Sequence, residues 1–594
     1  MVLAALFAAI AGQTFTQTVE AQFADENAAA RATLVSRALP HGKRYAFSTR
    51  WDDANMRHDR MSRTLSALGV RSTFYVNGKP TPAFSGVMSN VLSRGSSIGS
   101  HTMTHSYMSR LSPMRQFREV MESRIVLETA SQSAVTTFVL PYSSIGTRAD
   151  PECAVLAGRS LRNAGFLGGA ERNPRQFATY GLSPGEWVSS DTFSIDDRNP
   201  DAAQFAAKYA AAKRRIDAGN CPSGPHLTLG VHAWQSDEGM DRLADIVRPE
   251  AGLADTWYCN ENEYVAYRVQ HLAAKIERLS VDGRRVTWRL ERPEPFAIGA
   301  AVPLACEFSE EPVKVIVDGH AVAAGRGLSV AVPAAHAMPV RYETGRGGVS
   351  VEGNVVRAEF VNETGEVLDD VVMTLRLPPC CEPGVLSRAV GRLKPGAKTV
   401  QTWKVGSGSE ALRGAGEFFC AVQTDAVGKE GRIRFWQSFS RSGAQAGLEN
   451  CARDCCRVAG PFQLAPIDEL ASAADGRWEK AKSEDSAAPY YVSAMRNFKP
   501  MKGGVFLFLF EFEADLALHG DKWAIRADVP VLFAKCIFQL NGAVADVSAP
   551  VTLRDRANRL VVAVPADPGN WGGRLMISIV SAKDGAGVKY RKAE

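Results

Sequence analysis

Apolar and polar residues alternate along this chain in two different rhythms, and the change falls near residue 275. Before it, short apolar runs are each followed by a segment whose apolar positions recur at helical spacing. "RYAFST" leads into "WDDAN", and "HDRMSRTLSALG" then places Met61, Leu65 and Leu68 on one helical face. "RSTFYVN" predicts the next strand, "FSGVMSNVLSRG" a helix closed by Gly95, and "SSIGSH" another strand. The long helix "MRQFREVMESRIVLETASQ", the strand "VTTFVLPY", the helix "ECAVLAGRSLRNAG" and the strand "FLGGA" continue the series, and "DAAQFAAKYAAAKRRIDAG" precedes "HLTLGVHAW". "WYCNENEYVAYR" has the aromatic, amide and acidic residues of a sugar site; its spacing favours the start of an amphipathic closing helix, with Tyr264, Tyr267 and Leu272 facing inward. Repeated strand–helix units predict a parallel sheet with helical crossovers, closed or nearly closed into a barrel.

After residue 275 the rhythm becomes that of short strands separated by Gly, Pro, Asp and Asn turns, as in "RRVTWRLE", "PVKVIVDG", "GLSVAVPA", "NVVRAEFVN", "VVMTLRLP" and "RIRFWQSFS". This is β-sandwich material. From about Gly460 the strands lengthen, as in "GGVFLFLFEFEADLAL" and "RLVVAVPA", which predicts a jelly-roll-like sandwich. The expected architecture is multidomain: a distorted (β/α) barrel over residues 21–275, a small β-sandwich over 276–345, an Ig-like sandwich over 346–455 and a jelly-roll-like sandwich over 456–594. Trp523 and Trp571 in the last block would stack on sugars if exposed, and core packing is the expectation for both.

With 594 residues the chain is too long for one core. Its 45% hydrophobic and 22% charged residues are those of ordinary globular material. A net charge of +5 with no Lys/Arg run gives no indication of a nucleic-acid partner. At the N-terminus, Val2 to Ile10 form an apolar run too short to span a bilayer, followed by Ala11 and Gly12. That suits a secretory signal over residues 1–20 without its basic start, and equally a buried N-terminal helix. Export to the periplasm, cell surface or medium is the expectation; no other stretch is long and apolar enough to span a membrane. The cysteine clusters "PPCC" and "CARDCC" would then be joined by disulfides, or the second would hold zinc, though it lacks a CxxC pair.

In a parallel barrel, reactive groups sit where strands end. "STRWDDAN" ends its strand with Asp52 and Asp53, "SIGSHTMTH" with His101 followed by His105, "VLPYSS" with Pro141 and Tyr142, and "HLTLGVHAW" with His232. Adjacent carboxylates on extended backbone point to opposite sides, so one can bind a metal while the other stays free as a base. If His101 opens a helical turn, His101 and His105 face the same way. One Asp and two His supply three protein ligands and leave positions open for water and substrate.

These residues resemble the polysaccharide deacetylases of the NodB-homology type. The resemblance covers residues 40–275 and rests on "WDD", "HTMTH", "LPY" and "LGVH". It implies a metal-dependent hydrolase removing N-acetyl groups from amino-sugar glycans. On that resemblance Asp53, His101 and His105 bind a divalent metal, zinc as first choice, and Asp52 is the general base. The backbone N–H of Tyr142 helps hold the oxyanion, and His232 is the general acid for the leaving amine. The family's third motif carries an arginine where this chain has Val139; Arg50, two residues before Asp52 on the same strand, is the expected substitute or else a solvent-facing arginine. The family's fourth motif has no clean counterpart, and Asp191, Asp196 and Asp197 in "SSDTFSIDDRN" are either a supporting carboxylate or a solvated acidic loop. An inactive glycan-binding protein on the same fold, or an O-acetyl esterase, are the alternatives. The sequence leaves the oligomeric state open.

Overall fold

The strand Tyr45–Asp52 is buried along its whole length, as a central strand of a parallel sheet must be. The computed structural model describes residues 14–591 except 106–107, 109–112, 142–150, 171–186, 197–198, 221–223, 407–417, 442–454, 483–491, 495–496, 529–535, 548, 567–573 and 584–587. On one side Tyr45–Asp52 pairs in parallel with Ser72–Val76, which pairs with Ser97–Ser100. On the other it pairs with His226–His232, which pairs with Asp191–Phe193. Single bridges carry the parallel pairing onward, from Ser100 to Phe138 and from Thr137 to Gly168, and Gly168–Gly169 pairs with Val188–Ser189. The two ends of this series, Val188–Ser189 and Asp191–Phe193, are separated in the chain only by Ser190. Helices Pro82–Ser93, Pro113–Ser131, Pro151–Ala164 and Ala202–Asp217 are among the crossovers.

Two expected elements differ. "VTTFVLPY" joins the sheet only through single bridges at Thr137 and Phe138. Its neighbour is the glycine pair of "FLGGA", where a Cβ on Gly169 would collide with the Phe138 carbonyl and one on Gly168 with the Val188 carbonyl. Trp257 and Tyr258 form a short strand (Thr256–Tyr258), and the closing helix begins afterwards as Glu261–Ala273, held by an Asn260/Glu263 capping box. Tyr264 and Tyr267 are buried and Leu272 is half-buried. Glu261 enters the sheet interior and accepts hydrogen bonds from Ser48 (3.1 Å), Thr228 (2.6 Å) and Ser190 (3.4 Å). All three bonds fall on Oε1 and tie together the strands that carry Asp52 and His232, while Oε2 faces His226 Nδ1 at 3.5 Å.

The β-units are not the simple series the sequence suggests. Thr14–Gln22 lies in the middle of a sheet, between Arg285–Pro293 and Lys314–Val317, while Leu34–Ser36 pairs with Leu304–Phe308. Val19, Phe23, Trp288, Leu304 and Phe308 share one core. The first sandwich is therefore discontinuous, and boundaries at residues 20 and 275 are replaced by a unit built from both sides of the parallel domain. The local rhythm of "TFTQTVEAQ" marks a half-buried strand without naming its distant partner.

The second sandwich pairs a five-stranded sheet (Val340–Thr344, Gly431–Arg441, Phe418–Gly428, Leu368–Arg376, Val385–Leu393) with a three-stranded one (Arg346–Glu352, Val355–Val361, Lys398–Lys404). Its buried residues belong to the same hydrophobic cluster as those of the parallel domain. Polar contacts lock this junction. Glu128, on helix Pro113–Ser131, accepts from Arg124 (3.1 Å), the Val135 N–H (3.1 Å) and Trp436 Nε1 (2.8 Å). Arg376 donates to the Asn163 carbonyl (2.8 Å), and Gln132 donates to the Tyr342 carbonyl (2.7 Å).

The last unit, from Cys455 onward, has cores made solely of its own residues. Trp523 is fully buried there, and Trp571 lies outside the described residues. Cys381 packs in the core shared by parallel domain and second sandwich, whereas Cys455 and Cys456 pack in that of the last unit. Among the described residues no disulfide joins these neighbourhoods, because they belong to separate cores.

Glu128→Ala would leave the buried Arg124 guanidinium and Trp436 indole N–H without their acceptor. A buried ion pair broken on one side costs about 3 kcal/mol or more. Urea unfolding followed by tryptophan fluorescence should show a loss of that order in the parallel domain and second sandwich together.

Candidate active site

Register places the reactive residues side by side. Asp52 is the direct neighbour of His232 on one flanking strand and of Tyr75 on the other. The strand ends there, because Asp53 takes a positive φ of 68°. That turn gives the bend two adjacent carboxylates need to address one site. Left-handed backbone is costly for a residue other than glycine, and Thr102 (φ 68°) and His105 (φ 56°) adopt it too. His101 to His105 is thus a strained loop and not the helical turn expected; its positive φ values bring the two imidazole rings to 4.9 Å between centroids.

Asp53, His101 and His105 converge, with one ligand atom from each lying within 4.8 Å of the others. Asp53 Oδ1 stands 3.7 Å from His101 Nε2 and 3.2 Å from His105 Nε2. It is buried and makes no hydrogen bond. His101 donates through Nδ1 to the Val139 carbonyl at 2.8 Å, which leaves Nε2 as a lone-pair donor toward Asp53. Burial pushes the His101 pKa down to about 4, so the ring is neutral at neutral pH. Burial would raise the Asp53 carboxyl, but the neighbouring imidazole of His105, with His101 and His232 beyond, brings it down to about 2. An anionic carboxylate and imidazole nitrogens facing a common point, with an unsatisfied buried oxygen among them, fit a divalent metal ion.

The loop that carries the histidines is held from behind by a polar stripe on the buried face of helix Pro113–Ser131. Gln116 donates to the Met108 carbonyl (2.8 Å), Glu119 accepts from the Thr104 N–H and hydroxyl (both 2.8 Å), and Ser123 bonds Ser100 (2.9 Å). Nothing in the sequence analysis singles out Glu119. The signal was there as polar residues at 116, 119 and 123, helical spacing, on a face otherwise filled by Phe117, Val120 and Met121. Asn77 likewise holds the turn after Asp53 by accepting from the Ala54 N–H at 3.0 Å.

Asp52 is bound by Arg50 from its own strand. Arg50 Nε donates to Asp52 Oδ1 at 2.7 Å, a second guanidinium nitrogen bonds Oδ2, and the third bonds the Ala170 carbonyl. Both side chains are buried, at 1% and 4% exposure, so the solvent-facing alternative for Arg50 does not hold. Burial raises the Asp52 carboxyl, and the charge and hydrogen bonds of Arg50 more than reverse this, holding it well below the usual carboxylate range. Val139 packs with Tyr75 and Ala170 in a small apolar cluster beside this pair.

Asp191 does not enter the site, and Asp196 lies at the surface. Asp191 is buried but forms a double hydrogen bond with Arg215 (2.8 Å each) and pairs in register with Leu227, at the far end of the strand from His232. Asp196 is exposed and accepts from the Asn199 N–H. Asp197 and Tyr142 lie outside the described residues. His232 stacks on Trp234, ring centroids 3.9 Å apart.

The family model described as polysaccharide deacetylase matches residues 41–156. No curated protein matches the chain. Similar solved structures include a peptidoglycan deacetylase from Bacillus subtilis (14% identity, 38% of this chain and 91% of that one, TM-score 0.23). A family 4 acetyl xylan esterase from Clostridium thermocellum in complex with a cobalt ion is similar at 17% identity, over 37% of this chain and 89% of that one, with a TM-score of 0.26. A family 4 carbohydrate esterase from Streptomyces lividans in complex with acetate has 16% identity over 35% and 90%, with a TM-score of 0.24.

Removing the cation tests the Arg50–Asp52 pair. Arg50→Met should raise the Asp52 pKa, moving the acidic limb of the pH–rate profile to higher pH and lowering turnover, with metal content unchanged. Arg50→Lys, which keeps the charge but loses the fork geometry, should fall between.

Proposed function

We propose that this protein is a metal-dependent deacetylase of N-acetylated amino-sugar glycans, working on a distorted (β/α) barrel. The observation that carries the reading is the meeting, at one end of one sheet, of an Asp-His-His set with a separate carboxylate held ionised by a buried arginine. Asp53, His101 and His105 would hold a divalent ion, which would supply Lewis acidity to the acetyl carbonyl and to the attacking water. Asp52, fixed on both oxygens by Arg50, accepts the proton of that water as it attacks. His232, its neighbour in register, donates a proton to the leaving amine nitrogen, so that acetate and a free amine result. The Tyr142 N–H is assigned to the developing oxyanion on the family resemblance alone.

Arg50 also bears on the inactive-scaffold alternative, whose main support is the arginine missing at position 139. The cation needed beside the base comes from a different strand position, so the reading as an active enzyme is favoured. The β-units add no group to this site among the described residues, and the second sandwich reads as a fixed part of the catalytic body.

The test is acetate release from N-acetylated and O-acetylated oligosaccharides, with and without added zinc. Release from the N-acetyl substrate supports the proposal; release from O-acetyl sugars alone would make the protein an esterase, and none from either would leave a binding protein. In His101→Ala, metal measured by mass spectrometry should fall from about one per chain to near zero with the circular dichroism spectrum unchanged. Unchanged occupancy would remove His101 from the ligand set.

A further inference from the structure

Trp234 is one of the few large apolar side chains left exposed, at 43%, and it stands two residues beyond His232. One face of its indole lies on the His232 imidazole, nearly parallel at 20°. The core of the domain does not bury it, although neighbouring Ala233 and Gln235 are buried. Its loop is braced rather than loose. Arg57, on the loop that follows Asp53, donates to the Gln235 carbonyl, and Ser236 caps the helix Asp237–Val247 by accepting from the Gly239 N–H at 3.2 Å. Met56, next to Arg57 and 55% exposed, is the second large apolar side chain on these braced loops. A flat aromatic surface is thus kept in solvent, fixed in orientation, beside the metal triad.

We infer that Trp234 is a substrate-binding residue that stacks on the apolar face of the pyranose ring whose acetamide is cleaved. This rests on the reading of the site as a glycan deacetylase and names the part of the substrate it selects. The leaving nitrogen is bonded directly to that ring, and His232 must reach the nitrogen. A ring placed so that its nitrogen meets His232 lies over the side chain packed on His232. The C–H face of a sugar is apolar and the indole face carries partial negative charge, which makes the pair attractive in water. The indole cannot contribute to binding a small acetyl compound that has no ring to lay on it.

The experiment compares wild type, Trp234→Ala and Trp234→Phe as full chains. Binding of a β-1,4-linked N-acetylglucosamine tetrasaccharide is measured by calorimetry, and acetate release from ethyl acetate serves as the ringless control. Trp234→Ala should weaken tetrasaccharide binding about tenfold, the upper range for one aromatic contact, while Trp234→Phe recovers most of it. For Trp234→Ala the KM for the tetrasaccharide should rise by the same factor, and the loss on the tetrasaccharide should exceed any loss on the ester. Equal binding by wild type and Trp234→Ala, or no binding by wild type, would overturn the inference. So would an equal loss on sugar and ester substrates, which would make the indole only a support for His232. Weaker binding in the variant together with no acetate release by the wild type would keep Trp234 as a sugar-stacking residue and remove the deacetylase reading instead.

Discussion

A carboxylate taken out of water at the end of a buried strand is stable only if a cation meets it there, and much of this site follows from how Asp52 is met. Arg50 lies two residues earlier on the same strand, so the pleat puts both side chains on one face. The guanidinium closes on both carboxylate oxygens and uses its remaining nitrogen on the Ala170 carbonyl. Desolvation alone would favour a protonated Asp52; the pairing keeps it anionic and fixes its direction. With the charge supplied from within the strand, position 139 needs no cation. Val139 instead contributes its side chain to an apolar wall and its carbonyl to His101.

Helix Pro113–Ser131 connects two functions of the fold. Its first half carries Gln116, Glu119 and Ser123, which hold the segment from Ser100 to Met108 and so fix the strained loop of the two histidines. Its second half carries Arg124 and Glu128, and Gln132 follows it; Glu128 and Gln132 bond the second sandwich. The sandwich is therefore part of the frame behind the cluster of Asp53, His101 and His105. Strained backbone at Asp53, Thr102 and His105 persists only where surrounding packing over-determines it, and this helix provides that packing on one side. The last unit, with separate cores, has no comparable tie to that helix among its core residues.

The site was legible to the degree that its chemistry lies at strand ends. Asp52, Asp53, His101 and His232 are where apolar runs stop, and a parallel sheet gathers such positions at one edge. The convergence of Asp53 with both histidines also follows the expected set, although the backbone that achieves it does not. A helical turn was the simplest way to align residues four apart, and the chain uses left-handed φ values instead, which no side-chain pattern reports. Glu119 was hidden because a buried acid within an apolar helix face reads as an interruption until the loop it bonds is known. Asp191 drew attention as an acid near the site in sequence, yet strand register sends it to the opposite end, paired with Arg215.

Local sequence determined what each segment is: strand or helix, buried or half-buried, and which reactive groups stand at its end. These properties depend on residue spacing of two or of three to four, and on neighbours close in the chain. Tertiary structure alone decided who pairs with whom. Thr14–Gln22 completes a sheet with strands after residue 275, Glu128 finds Trp436, and Cys381 settles in a different core from Cys455 and Cys456. Such pairings are selected by the burial of whole faces and the satisfaction of hydrogen bonds across long loops. Those energies are properties of the assembled fold, and no short stretch of sequence contains them.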